Sequence, residues 1–317
     1  MKIVVLDGYA LNPGDMSWKA FEELADFKVY DNTSSKKIVE RIGSAELVLT
    51  NKVVLNKDVI NSCPLLKYIG ILATGYNIVD LEAASNANIT VTNIPAYSTD
   101  SVAQLVFSHL LNIVNRVQLH ADSVKNGDWV NSPDFSFWLS PQTELAGKTL
   151  GIIGFGRIGQ KVAEIGHAFG MTILFQNRSQ KKNVASYCRQ CELDELLQKS
   201  DVVSLNCPLT ENNREFMNKN LFAQMKHSAI IINTGRGALI EEQDLANALN
   251  EGSLAAAGLD VLSTEPPTTD NPLLRAKNAF ITPHIAWATK EARQRMINIA
   301  EENLKAFLNR KKLNVIS

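Results

Sequence analysis

Two successions of short apolar runs, each alternating with stretches of helical periodicity, organise this chain. The first holds "KIVVLD", "AELVLT", "LKYIGIL" and "NITVTN". The second holds "KTLGIIG", "MTILFQ", "DVVSLN", "SAIIIN", "AAAGLD" and "NAFITP". A run that is apolar at nearly every position suits a strand covered on both faces. Strands that alternate with helices form parallel sheets, because the crossovers pack above and below them. Two successions imply two α/β domains rather than one large sheet, and 317 residues is a length for about two domains.

Between the successions, Val102, Leu105, Val106, His109, Leu110 and Ile113 recur at spacings of three and four, which predicts one long helix with a single apolar face. Met296, Ala300, Leu304 and Phe307 mark a second long amphipathic helix near the C-terminus. Hydrophobic residues at 45% and charged residues at 21% are the balance of an ordinary globular chain. A net charge of -1 gives no footprint for nucleic acid or for an anionic membrane surface. No window is apolar enough to span a bilayer and the first strand is too short for a leader, so the chain is expected in the cytoplasm. Cys188 and Cys191 form a C-x-x-C without the strand-to-helix setting of a redox pair or the partners of a zinc site. We read the pair as structural and expect no metal.

"GIIGFGRIGQ" places Gly154, Gly156 and Gly159 in the order G-x-G-x-x-G, between an apolar strand and a helix with Ile158, Val162, Ile165 and Phe169 on one stripe. That context makes it a dinucleotide-binding loop. Gly154 allows the tight turn, Gly156 lets the backbone approach a pyrophosphate, and Gly159 lets the helix pack on the strand. About twenty residues on, an acidic side chain ordinarily accepts from the adenosine ribose. Here Asn177 stands in its place, followed by Arg178 and Ser179, with Lys181 and Lys182 nearby. A guanidinium and a hydroxyl suit a 2′-phosphate, so NADP is favoured over NAD.

Three later segments carry polar residues beyond strand ends: "INTGRGALI" with Arg236, "LDVLSTEPP" with Asp260 and Glu265, and "ITPHIAW" with His284. In an open parallel sheet these ends share one crevice. Arg236 can bind a substrate carboxylate and polarise its carbonyl. His284 can donate a proton to a developing alkoxide, and Glu265 can hold the imidazole and favour its protonated form. His109, His120, His167 and His227 lack such neighbours and are read as structural.

Taken in order, "GFGRIG", "CPLT", "NTGRG", "LDVLSTEPP" and "TPHIAW" resemble the D-isomer-specific 2-hydroxyacid dehydrogenase family over nearly the whole chain, with most likeness to its glycerate dehydrogenase, or hydroxypyruvate reductase, branch. The resemblance implies two Rossmann-like domains with parallel sheets. The flavodoxin-like substrate domain would be discontinuous over residues 1–100 and 286–317, and the NAD(P)-binding domain would span 101–285. It implies Arg236, Glu265 and His284 as the catalytic trio. It further implies cofactor contacts at Val102, Arg157, Ile158, Cys207, Pro208, Thr234 and Asp260, and substrate contacts at Asn51, Lys52, Thr74, Gly75, Trp138 and Trp287. A homodimer in which Trp138 reaches the partner's site also follows from it. The expected reaction is reduction of a small 2-oxo acid, hydroxypyruvate or glyoxylate, to the D-hydroxy acid. Another 2-oxo acid is one alternative, and a cofactor-sensing regulatory protein on the same fold is the other.

Overall fold

Val202–Leu205 and Ile230–Asn233 are buried at every residue, as strands inside a sheet must be when helices cover both faces. The computed structural model describes residues 1–317, which form two compact units: Met1–Ser98 with Ala288–Ser317, and Thr99–Trp287. In the first unit, β1 (Lys2–Val5), β2 (Asp26–Val29), β3 (Leu47–Thr50), β4 (Tyr68–Ile71) and β5 (Thr90–Thr92) make a parallel sheet in the order β2-β1-β3-β4-β5. In the second unit, β6 (Thr149–Ile153), β7 (Thr172–Gln176), β8 (Cys188–Gln190), β9 (Val202–Leu205), β10 (Ile230–Asn233), β11 (Ala256–Leu259) and β12 (Ala279–Ile281) make another. Its order is β12-β11-β10-β9-β6-β7-β8, again wholly parallel.

The period-two geometry of strands sorts the second unit's core into two layers. Ile230 and Ile232 join Val106, Leu110 and Val162 on one face, while Ile231 joins Leu197, Phe222 and Leu245 on the other. Ile231 and Ile232 are fully buried, so truncating either to alanine costs about 2–5 kcal/mol. The helix Lys290–Leu308 buries Met296, Ala300 and Leu304 in the first unit, and Phe307 sets its ring 4.9 Å from that of Tyr68.

Three local expectations need correction. Strands β2 and β8 have no apolar run, because each keeps polar residues exposed between half-buried ones. The single long helix is two helices, Thr99–Asn115 and Val117–Lys125, broken where Arg116 turns left-handed at φ 47. The Arg116 guanidinium lies 4.7 Å from the Phe280 ring and donates to Asn278 Oδ1 at 3.1 Å, tertiary partners that sequence periodicity does not register. Finally, the helix Arg157–Ala168 packs Ile158, Val162 and Ile165 on the core as expected, with Gly159, Ala163 and Gly166 beside them, but Phe169, 39% exposed, stacks on Phe107 at the edge. Cys188 lies on β8 as a free thiol that burial pushes up to about 11, which suits the structural reading of the C-x-x-C.

Candidate active site

In the second sheet, β6 leads outward on one side to β7 and returns on the other as β9, so the order reverses between β6 and β9. Ligands of such sheets bind beyond the strand ends at this reversal. Gly154 sits there at φ +95, and a Cβ on it would lie 2.5 Å from the Cys207 backbone nitrogen. At Gly159 a Cβ would lie 2.2 Å from the Gly154 carbonyl oxygen. At Gly156 a Cβ would meet nothing within 4 Å. Two glycines are therefore required by the protein's own packing, and the middle one faces free space. The helix that follows begins at Arg157 with no side-chain cap, which leaves its first N–H groups available to an anion. Beyond β9 and β10, Asn206 Oδ1 and Thr234 Oγ1 are buried without a protein partner. An uncapped helix start, a glycine opening and two idle polar atoms fit a nicotinamide dinucleotide.

Next to the loop, Asn177 is fully engaged. Its Oδ1 accepts from the Phe155 N–H at 3.2 Å, and its Nδ2 donates to the carbonyl and hydroxyl of Ser179 at 3.0 and 3.3 Å. Arg178 and Ser179 are exposed beside it. Val102 is buried, Arg157 exposed, and Ile158 half-buried. Cys207 is half-buried, and burial raises its thiol above the usual range. The carbonyl of Pro208 accepts from Asn213 Nδ2 at 2.8 Å.

The trio stands beyond the ends of three neighbouring strands, β10, β11 and β12. His284 Nδ1 and Glu265 Oε2 are 2.6 Å apart, and Glu265 Oε1 accepts from the Leu262 N–H at 3.2 Å. With Nδ1 committed to the carboxylate, His284 presents Nε2 for proton transfer. The histidine is held left-handed at φ 54, its N–H donating to the Asp260 carbonyl at 2.8 Å. The buried Asp260 carboxylate accepts from the N–H groups of Ile285 and Ala286, both at 2.8 Å, and from Thr282 Oγ1 at 2.6 Å. These bonds fix the backbone on both sides of His284. Such an unfavourable backbone region persists only where surroundings enforce it, and it recurs at functional sites.

Arg236 reaches its place through Asn233, whose amide accepts from the Gly235 N–H at 3.0 Å and donates to the Arg236 carbonyl at 2.9 Å. The guanidinium is exposed, its Nη1 donating to the Gly235 carbonyl at 2.7 Å. At Gly237 a Cβ would fall 1.9 Å from the Leu262 carbonyl carbon. Only glycine permits the turn of Arg236 to lie against the segment that leads to Glu265. The structure thus joins His284 and Glu265 directly, while the Arg236 guanidinium contacts only its own turn and that turn packs on the Leu262 segment.

The remaining residues divide between the units. In the first, the Asp7 carboxylate accepts from the N–H groups of Asn51, Lys52 and Val53 at 2.8, 2.6 and 3.2 Å and from Thr50 Oγ1 at 3.2 Å. Thr74 is pinned through its hydroxyl and carbonyl, to Ile94 O at 2.7 Å and Asn93 Nδ2 at 2.8 Å, and neither bond uses its N–H. Gly75 follows it, half-buried. In the second unit, Trp287 is half-buried and Trp138 is 71% exposed. Sequence reasoning missed Asp7, Asn233 and the link from His109. An acid or amide closing an apolar strand, as in "KIVVLD" and "AIIIN", was the available signal. Nε2 of His109, buried, lies 3.0 Å from Thr282 Oγ1. Since that hydroxyl gives its proton to Asp260, His109 is the donor, and burial holds its proton affinity below the usual histidine range.

Fold and site together define a nicotinamide-dependent oxidoreductase. Residues 107–286 match the family model of the NAD-binding domain of D-isomer specific 2-hydroxyacid dehydrogenases. A hydroxypyruvate reductase of Blautia hydrogenotrophica is 49% identical, with all of both chains covered. An acyclic imino acid reductase solved with NADPH and D-Arg is 31% identical with a TM-score of 0.86, and D-lactate dehydrogenase of Lactobacillus jensenii, solved with NAD+, is 28% identical with a TM-score of 0.83; each comparison covers all of both chains. This chain belongs to the D-isomer specific 2-hydroxyacid dehydrogenases.

Proposed function

We propose that the protein reduces hydroxypyruvate to D-glycerate, and glyoxylate to glycolate, with NADPH favoured over NADH. The 2.6 Å pairing of His284 Nδ1 with Glu265 carries this reading, because it leaves one oriented nitrogen to give up a proton. In the proposed reaction His284 Nε2 protonates the substrate carbonyl oxygen as negative charge builds on it. Glu265 holds the ring and balances its charge. Arg236 binds the substrate carboxylate and draws electrons from the adjacent carbonyl. The N–H groups of Thr74 and Gly75, with Asn51 and Lys52 near them in the chain fold of the first unit, and Trp287 of the second unit are the further substrate contacts of this reading. Gly154, Gly156, Arg157, Ile158 and Gly159 would hold the pyrophosphate, and Val102, Cys207, Pro208, Thr234 and Asp260 the rest of the dinucleotide. When bound, the nicotinamide supplies a hydride to substrate C2.

The NADPH preference rests on the absence of an acid at Asn177 and on the exposed Arg178 and Ser179. The substrate preference rests on the 49% identical hydroxypyruvate reductase. We further propose a cytoplasmic homodimer. Val130, Phe135 and Trp138 are 88%, 91% and 71% exposed, an apolar stretch that a lone subunit rarely leaves open. A second subunit would cover it and carry Trp138 to the neighbouring site. Steady-state rates with hydroxypyruvate, glyoxylate and pyruvate against both cofactors test the proposal. The highest kcat/KM is expected for hydroxypyruvate with NADPH. Pyruvate or a bulkier 2-oxo acid outperforming it would refute the substrate assignment, and a higher kcat/KM with NADH would refute the cofactor preference.

A further inference from the structure

The loop that carries Glu265 is tied at both ends to one carboxylate outside the trio. Glu242 Oε1 accepts from the Ser263 N–H at 2.7 Å, and its Oε2 accepts from Ser263 Oγ at 2.7 Å and from Asn271 Nδ2 at 2.9 Å. Ser263 precedes Glu265 by two residues and Asn271 follows it by six, so one side chain closes the neck of this loop. Glu242 is not needed as a helix cap, because Glu241 already accepts from the Asp244 N–H in that role. Asn271 is itself buried, and its Oδ1 caps the short helix Pro272–Arg275, so the far anchor is fixed independently. On the near side, Ser263 adjoins Leu262. The Leu262 N–H holds Glu265, and its carbonyl carbon lies against Gly237, next to Arg236.

We propose that Glu242 is a positioning residue for the reaction: by tying Ser263 to Asn271 it sets where Glu265 meets His284. This inference rests on the trio proposed above. Charge-assisted hydrogen bonds of this kind are about twice as strong as neutral ones and order the backbone they reach. Small misplacements of catalytic groups lower turnover steeply. Glutamine at 242 keeps the size of the side chain but sets an NH2 group against the Asn271 NH2, so the tie to the far anchor is lost.

The test is a double-mutant cycle in kcat for hydroxypyruvate reduction, with thermal midpoint and KM for NADPH recorded alongside. E242Q is expected to lose about tenfold in kcat with KM for NADPH within about twofold of the parent, since only the acid's placement changes. E242Q/E265Q is expected to fall no lower than E265Q alone, because the first substitution acts through the second residue. A purely structural role would lower the thermal midpoint and leave kcat per folded enzyme intact. Additive losses in the double variant, or E242Q turning over at the parental rate while E265Q is impaired, overturns the inference and leaves the trio standing. Parental turnover in E265Q would overturn the trio and this inference together. If E242Q does not fold, Ser263→Ala decides: it removes only the hydroxyl donor, so a loss of about threefold in kcat that disappears in the E265Q background supports the proposal, and no loss overturns it.

Discussion

In the five-stranded sheet the chain leaves the end of β1 and comes back beside it as β3; in the seven-stranded sheet it leaves β6 and comes back as β9. Both sheets therefore have a reversal point, and at both the loops gather backbone N–H groups that favour negative charge. The first unit fills its own. Asp7, two residues beyond β1, sends its carboxylate across to three consecutive N–H groups after β3. The second unit leaves its reversal open: Gly154, just beyond β6, has no side chain to send, and the helix after it starts uncapped. The comparison teaches that a doubly wound sheet becomes a cofactor site or a braced scaffold according to one residue past the central strand. Where that residue is acidic, the protein is its own ligand and the loop is fixed in advance.

Breaking the chemistry on the open side should have the largest effect. His284→Ala is expected to lower kcat about 100-fold to 10,000-fold while NADPH affinity, read by fluorescence titration, stays within about twofold. A variant that turns over normally would place proton donation elsewhere. Closing the open side comes next. Gly154→Ala must force a Cβ into the Cys207 backbone and hold alanine at φ +95, so we expect NADPH affinity to fall at least about tenfold and stability by about 1–3 kcal/mol. Unchanged cofactor titration would contradict the packing argument. On the braced side, Asp7→Asn leaves an amide facing N–H donors. We expect KM for hydroxypyruvate to rise about tenfold at constant KM for NADPH, with a stability loss of about 1–3 kcal/mol, since hydrogen bonds to a charged acceptor are involved. A rise in the cofactor's KM instead would show that the two reversal points do not divide the labour as described.

The smallest effect concerns Cys207, which abuts Gly154. Its thiol is raised by burial, so the reactive thiolate is scarce at neutral pH. Alkylation of its peptide, followed by mass spectrometry, should be slow at pH 7, rise about tenfold per pH unit up to the raised value, and be suppressed by bound NADPH. Fast labelling at pH 7 that NADPH does not change would remove this cysteine from the cofactor region.

Much of this was legible before any coordinates. The interior strands could be read because runs such as "AIIIN" must be apolar on both faces, and the pairing of Glu265 with His284 because both motifs fall beyond strand ends. Strands β2 and β8 were not legible, since each keeps polar residues such as Lys28 and Arg189 exposed between half-buried ones. Nor was the break at Arg116, which depends on Phe280 and Asn278, distant in sequence. Asp7, Asn233 and Glu242 escaped for a related reason. The partners of Asp7 and Asn233 are mainly backbone N–H groups and carbonyls, and those of Glu242 lie 21 and 29 residues away, so none leaves a local pattern of residue types to recognise.

One commitment noted above bears on attempts to retune the protein. Both ends of the Asn177 amide are already engaged, the oxygen by Phe155 and both amide contacts by Ser179. Aspartate there would lose the donor that serves the Ser179 carbonyl, and the turn bearing Arg178 would loosen with it. A change at position 177 therefore reaches Arg178 through the turn, and redesign has to start by restitching Ser179.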